Sequence, residues 1–156
     1  MIFDRTQEDV DTAVRLRNEK VKEFKNLTSE EINTLERGTI TINTLNRIEN
    51  KQQEIKELFS DIAINVDIQN KVWDSTEIFD RSNFERILQN LNILIENFCI
   101  YRNTPSVPNV SYYFEDINSI EKILFDLEEL YNKALKSFIY CGISYCGMGL
   151  NYGVQR

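Results

Sequence analysis

A chain of 156 residues, 42% apolar and 28% charged, suits one domain that hides roughly 70% of its unfolded surface. Its 18 basic and 25 acidic residues leave a net charge of −7, spread over both halves. No basic face is available for phosphate, so nucleic acid and an anionic membrane surface are disfavoured as partners.

The opening Met1-Ile2-Phe3-Asp4-Arg5 has neither the basic nor the apolar region of an export signal. No run of about 18 apolar residues exists, and no transmembrane helix is expected. Cys99, Cys141 and Cys146 are an odd set with no disulfide framework, which reads as reduced thiols made in a cytoplasm.

Capping signals punctuate the body. Thr6-x-x-Asp9, Thr28-x-x-Glu31 and Ser82-x-x-Glu85 each set a hydroxyl three residues before a carboxylate, ahead of apolar periodicity. The first helix is expected from about Gln7 to Phe24, with Val10, Ala13, Val14, Val21 and Phe24 on one face. A short second helix follows Thr28 with Ile32 and Leu35 inward, and Gly38 closes it as a C-terminal cap.

The third helix carries Leu45, Ile48, Gln52, Ile55, Phe59, Ile62 and Val66, a heptad seam interrupted by Gln52. Its narrowness suggests pairing with another copy, so Leu45, Ile48, Gln52, Ile55 and Phe59 are the expected oligomer seam. The fourth repeats the rhythm with Phe84, Ile87, Leu91, Leu94, Phe98 and Tyr101, widened by Leu88 and Ile95. The fifth does so with Ile117, Ile120, Leu124, Leu127, Tyr131 and Ala134, alongside Ile123 and Leu130. Three long helices with such stripes close a bundle core. Trp73, in the connection before the fourth helix, is expected to fill the core where helices meet. Both prolines lie in Thr104-Pro105-Ser106-Val107-Pro108, a rigid link between the fourth and fifth helices.

The expected fold is therefore all-α: about three long and two shorter helices, with an extended or hairpin-like C-terminal tail. Residues 1–136 form the bundle domain and 137–156 an interaction tail. In the tail, Ile139, Cys141 and Ile143 alternate with Tyr140, Gly142 and Ser144, which predicts a short strand or extended segment. Four of the five glycines and no charge before Arg156 follow Lys136. The triplet Tyr-Cys-Gly occurs at Tyr140 and again at Tyr145. Aromatic side chains on an adjustable backbone favour binding, so Phe138, Tyr140, Cys141, Gly142, Tyr145, Cys146, Gly147 and Tyr152 are the expected partner contacts. The tail either docks on another chain or folds back as a hairpin. Docking is preferred, because the helical stripes are able to satisfy one another.

Catalytic chemistry has little to stand on. Histidine is absent, removing the commonest general base and metal ligand. Neither a cofactor nor an enzymatic activity is expected. No cysteine has an obvious cationic neighbour in sequence, and three thiols fall short of a four-ligand zinc site. Asp74, Glu77 and Asp80 share a loop, but their spacing is not that of a calcium loop. Glu30-Glu31 and Glu128-Glu129 read as outward solubility charges.

Taken in order, several segments resemble a family of small structural proteins from tailed phages and prophages of Gram-positive bacteria. They are Asp4-Arg5-Thr6-Gln7-Glu8-Asp9-Val10, Leu45-Asn46-Arg47-Ile48-Glu49, Trp73, and Arg86-Ile87-Leu88-Gln89-Asn90. The Thr104–Pro108 linker, Ile117-Asn118-Ser119-Ile120-Glu121-Lys122-Ile123-Leu124 and the repeated tail triplet complete the series. Cysteines stand at 141 and 146 where the family usually has serine. The resemblance implies a non-enzymatic virion component, of tail or baseplate, present in several copies or as a homo-oligomer. Its implied partners are other tail, baseplate or fibre proteins. The alternative is an intracellular helical module that oligomerises through the third-helix seam. In that case Gln52→Leu should raise stability and alter the oligomer.

Overall fold

The computed structural model describes residues 1–20, 26–109 and 113–141, with side chains up to residue 137. Among these residues the chain is all-helical, with five helices and no strand. They are α1 (Gln7–Lys20), α2 (Ser29–Gly38), α3 (Ile42–Asp61), α4 (Arg81–Glu96) and α5 (Phe114–Cys141). No described helix is long and apolar enough to cross a membrane.

The starts of these helices follow local chemistry. Thr28 and Glu31 form a full capping box on α2, and Thr6 and Asp9 exchange the same bonds at α1. Thr41 caps α3 by accepting from the Thr44 N–H. At α4 the cap is Asp80, which accepts from the Asn83 N–H, rather than the expected Ser82. A carboxylate two residues upstream satisfies the same orphan donors, and the Ser82 hydroxyl donates to it.

The three long helices run parallel. Residues of α3 meet partners about the same distance ahead on α4 throughout: Glu49 with Arg86, Gln52 with Asn90, and Phe59 with Phe98 beyond the helix end. Likewise Arg47 meets Glu121 and Lys51 meets Glu128 of α5. Parallel helices need a return path along the bundle. A 20-residue helix is about 30 Å long, so roughly nine extended residues are required to retrace it. Residues 62–80 and 97–113 are long enough, and the Pro105–Pro108 link belongs to the second return.

The core is built from Ile48, Ile55 and Phe59 of α3, Phe84, Ile87, Leu91 and Leu94 of α4, and Ile117 to Leu127 of α5. Trp73 is buried among them, edge-on to Phe79. All five residues of the expected oligomer seam are buried inside this single chain. The narrow stripe is used up by α4 and α5, which pack on either side of it, so it offers no surface to a second copy. Gln52 donates to the Ile87 carbonyl at 2.9 Å and accepts from Asn90 at 3.1 Å. It is a cross-tie between α3 and α4.

Several other expectations are corrected. Ile62 and Val66 lie beyond the end of α3, Ala134 is exposed, and Ile32 is 42% exposed on α2. Val14 is likewise exposed, and Val21 and Phe24 lie outside the described residues. Gly38 has no positive φ, so it is not a left-handed cap; the cap is Thr39, in extended conformation. A Cβ on Gly38 would sit 2.2 Å from the Asp9 carbonyl oxygen and 2.3 Å from the Ala13 Cβ. Glycine is there because α1 crosses α2 at that point. Finally, α5 stays helical through Cys141, past the expected boundary at Lys136, where an extended segment was predicted. Extending an existing helix by a few residues costs little, and Gly142 is the first strong breaker.

Candidate functional site

Three asparagines and two glutamates organise the irregular chain around the bundle. Asn46 of α3 accepts from the Trp73 N–H at 2.8 Å and donates to the Trp73 carbonyl at 3.0 Å. Asn90 of α4 holds Gln69 in the same two-point way, at 3.1 and 2.8 Å. Asn118 of α5 holds Arg5, at 3.2 and 2.9 Å. Each carboxamide offers a donor and an acceptor side by side, as a neighbouring β-strand would. An extended segment with no strand beside it would otherwise leave those backbone groups unpaired.

One turn on from two of the asparagines, a buried glutamate completes the clamp. Glu49 accepts from the Lys71 N–H, from the Trp73 indole N–H at 3.3 Å, and from both terminal nitrogens of Arg86. Glu121 accepts from the Ile2 N–H at 3.0 Å, from Arg5 at 2.7 Å and from Arg47 at 2.8 Å. The Arg5 guanidinium is itself buried and also donates to the Ile2 carbonyl. Asp126 fixes the second return by accepting from the Thr104 hydroxyl at 2.7 Å. Sequence reasoning quoted Asn46-x-x-Glu49 and Asn118-x-x-Glu121 without seeing their role. The signal was there: the pattern Asn-x-Ile-Glu occurs twice, at Asn46 and at Asn118.

The loop acids do not converge on one point. Asp74 closes a turn with Thr76, Glu77 pairs with Lys71, and Asp80 caps α4. Hydrogen bonds from Thr76 hold the Asp74 carboxyl below its usual range, and those from Asn83 and Ser82 do the same for Asp80. Among the charges read as solubility groups, Glu31 caps α2 and pairs with Lys20, while Glu128 reaches Lys51.

One open face among the described residues is the end of the bundle where α3 stops and α5 continues. Ile62, Ala63 and Ile64 close α3: the Ile64 N–H reaches the Phe59 carbonyl at 2.9 Å and the Ala63 N–H the Ser60 carbonyl at 3.0 Å. Ala63 adopts a φ of 61°, the left-handed conformation that this closure requires. On α5, Tyr131 is the last buried residue, and residues 132–137 are all exposed. Asp61, Ile62, Tyr131, Ala134 and Leu135 border a groove of about 560 Å³. The second return passes nearby, because Phe98 stacks on Phe59 and the Tyr101 hydroxyl meets Lys133 at 2.7 Å. Lys133 is held protonated above the usual lysine range, first by Glu129 and then by Tyr101. Cys99 is a free, exposed thiol on this segment.

Of the expected partner contacts, Phe138, Tyr140 and Cys141 fall in the last turns of α5, directly beyond this groove. Gly142, Tyr145, Cys146, Gly147 and Tyr152 lie outside the described residues. No family model, curated protein or solved structure matches the chain.

Proposed function

We propose that the chain is a non-enzymatic structural component of a phage tail or phage-tail-like particle. It is made in the bacterial cytoplasm and built into the tail or baseplate in several copies. In this reading the clamped bundle is a rigid body. The end of α5, together with an extended or hairpin-like tail beyond it, docks on a neighbouring tail, baseplate or fibre protein. The observation that carries the docking is the uncovered end of α5, where exposed Ala134 and Leu135 lead into the uncharged, aromatic C-terminal residues. The ordered resemblance of the segments at Asp4, Leu45, Trp73, Arg86, Thr104 and Ile117 supports the kind of particle. The oligomerising module is the weaker alternative, because its seam is buried within one chain.

The test is to sediment particles from a lysate of producing cells and quantify this chain against the tail-tube subunit by mass spectrometry. The expected result is co-sedimentation at a fixed symmetric ratio. A chain truncated after Cys141 should fold but remain in the supernatant. Wild-type protein found only in the soluble fraction beside intact tails would refute the particle. Assembly of the truncated chain at the normal ratio would refute the tail as its anchor.

A further inference from the structure

The loop that leads into α4 carries the two most exposed aliphatic side chains among the described residues. Val72 and Ile78 keep 80% and 83% of their surface open, whereas the next, Ile32, keeps 42%. Single apolar residues on a surface are ordinary, but these two are held as a pair. Lys71 meets Glu77 at 2.8 Å, and the Trp73 and Phe79 rings pack edge-on with centroids 5.5 Å apart. Both contacts join residues six apart, and Val72 and Ile78, between them in sequence, share that offset. The loop tip is closed by the Thr76 N–H, which donates to Asp74 at 2.7 Å, while the Lys71 ammonium lies 4.4 Å over the Trp73 ring. Trp73 and Phe79 turn inward, so Val72 and Ile78 project outward side by side from a fixed loop.

We propose that Val72 and Ile78 form a second docking surface, for a neighbouring protein whose apolar slot is bordered by lysine or arginine. Charge selects that occupant. Residues 67–81 hold four acidic and two basic side chains. Both cations are engaged within the chain, Lys71 by Glu77 and Arg81 by Glu85. Asp74 and Asp80 are exposed, and hydrogen bonds from Thr76 and Asn83 hold their carboxyls below the usual range. The rim therefore stays negative. A second copy would set the same acidic rim against this one, and like charges opposed across an interface disfavour pairing.

Placement gives the surface a purpose. Trp73 is tied to Asn46 and Asp80 caps α4, so the loop lies where α3 and α4 begin. The exposed end of α5 lies where α3 stops. From Asn46 to Asp61 the α3 axis rises about 22 Å. The clamped body thus holds one neighbour at each end and acts as a rigid link between them. This inference rests on the particle reading above.

Zero-length carbodiimide cross-linking of sedimented particles, with links located by peptide mass spectrometry, tests it. Lys71 and Glu77 already touch, so they should link in the free chain and in particles alike, as an internal control. In particles, Asp74 or Asp80 is expected to join a lysine of one other protein. Val72→Gln and Ile78→Gln preserve the charge and should leave the circular dichroism and urea midpoint unchanged. Each should lower the yield of those links about tenfold, because the buried aliphatic contact is lost. Either variant suffices if the other unfolds. Ser75→Lys, which adds a cation at the exposed tip, should lower the yield as well. Particles that hold the chain at its normal ratio but show only the Lys71–Glu77 link would overturn this docking surface and leave the particle reading intact. So would links to another copy of this chain, or yields that the glutamine variants leave unchanged. Wild-type chain absent from particles would overturn both readings together.

Discussion

Replacing Gly38 with alanine sets two effects of opposite sign against each other. Gly38 is the last residue of α2 and has an ordinary φ, so helix propensity alone favours alanine by up to about 1 kcal/mol. Packing opposes it. The added methyl would lie 2.2 Å from the Asp9 carbonyl oxygen and 2.3 Å from the Ala13 Cβ. Carbon atoms prefer separations of about 3.5–4.0 Å, so α1 and α2 must part by more than about 1 Å. Neither obstacle is the end of a flexible side chain. Overpacking of this kind typically costs about 1–3 kcal/mol, which outweighs the propensity gain, and a net loss near 1–2 kcal/mol is expected.

The loss should be local to the α1–α2 hairpin. Trp73 sits in the bundle core, so its fluorescence follows the bundle, whereas amide exchange in α1 follows the hairpin. Gly38→Ala should speed exchange in α1 well before it shifts the fluorescence transition in urea. It should also stretch the Arg37–Asp9 contact, now 3.0 Å, and let the Asp9 pKa rise from about 2 towards its ordinary value. Adding Ala13→Gly removes one obstacle and leaves the Asp9 carbonyl, so rescue should be partial. A Gly38→Ala chain as stable as wild type, with unchanged exchange in α1, would refute the close crossing.

Four further outcomes follow from the clamps and caps. Gln52→Leu removes a cross-tie rather than an oligomer switch, so urea denaturation should show a loss of about 1–3 kcal/mol, and sedimentation an unchanged oligomeric state. Glu121→Gln leaves the buried Arg5 and the partly buried Arg47 without their shared counter-charge. A loss of about 3–5 kcal/mol is expected by the same assay, with earlier proteolysis near Arg5. Ala63→Gly relieves the left-handed strain at the end of α3 and should raise stability by about 1 kcal/mol in thermal melts. The Asp9 carboxyl is lowered from 3.8 to about 2, first by the hydrogen bond from Arg37 and then by the Thr6 N–H. A depressed folded pKa stabilises above the unfolded value, so its contribution is lost as pH falls from about 4 to about 2. Exchange in α1 should accelerate across that window in wild type and lose this dependence in Arg37→Ala.

What sequence made legible was whatever is settled within a turn or two of helix. The capping boxes at Thr6 and Thr28, the apolar stripes of α4 and α5, and the burial of Trp73 depend on residues three or four apart, or on size and hydrophobicity. The misreadings share a different cause. Gly38 looks like a cap because its reason lies at Asp9 and Ala13, on another helix. Gln52 looks like a break in a coiled-coil seam because its partners, Ile87 and Asn90, are far along the chain. Ser82-x-x-Glu85 fits the local capping rule, Asp80 satisfies the same donors from two residues earlier, and only the entry of the chain into α4 separates them. At the far end, alternation over five residues was given more weight than the low cost of extending α5. In the candidate docking face, Leu135 and Ala134 had been counted with the bundle, and Ile62 with the seam. They became a surface only because α3 ends at Asp61 while α5 continues.

The parallel arrangement of α3, α4 and α5 explains why so much polarity is buried in so small a core. Antiparallel neighbours are joined by short turns, but parallel ones need extended returns, and extended chain without strand partners leaves peptide groups to be satisfied. Here Asn46 and Asn90 do so for the first return and Asn118 for the N-terminal segment, while Glu49 and Glu121 add the charge that holds Arg86 and Arg5. Each clamp fixes a segment that a simple bundle would leave loose. Stability is then concentrated at the clamped segments, while α5 beyond Tyr131 extends past the bundle with Ala134 and Leu135 exposed. A change that loosens a clamp should therefore unfold the body, whereas a change on the overhang should alter only what it holds. Asn118→Ala and Leu135→Glu separate the two: the first is expected to lower the urea midpoint, with about 0.5–1.5 kcal/mol lost per hydrogen bond. The second should leave the midpoint in place and change only assembly. Equal loss of stability in both variants would mean that the end of α5 belongs to the folded body, and the division between clamped body and docking end would fail.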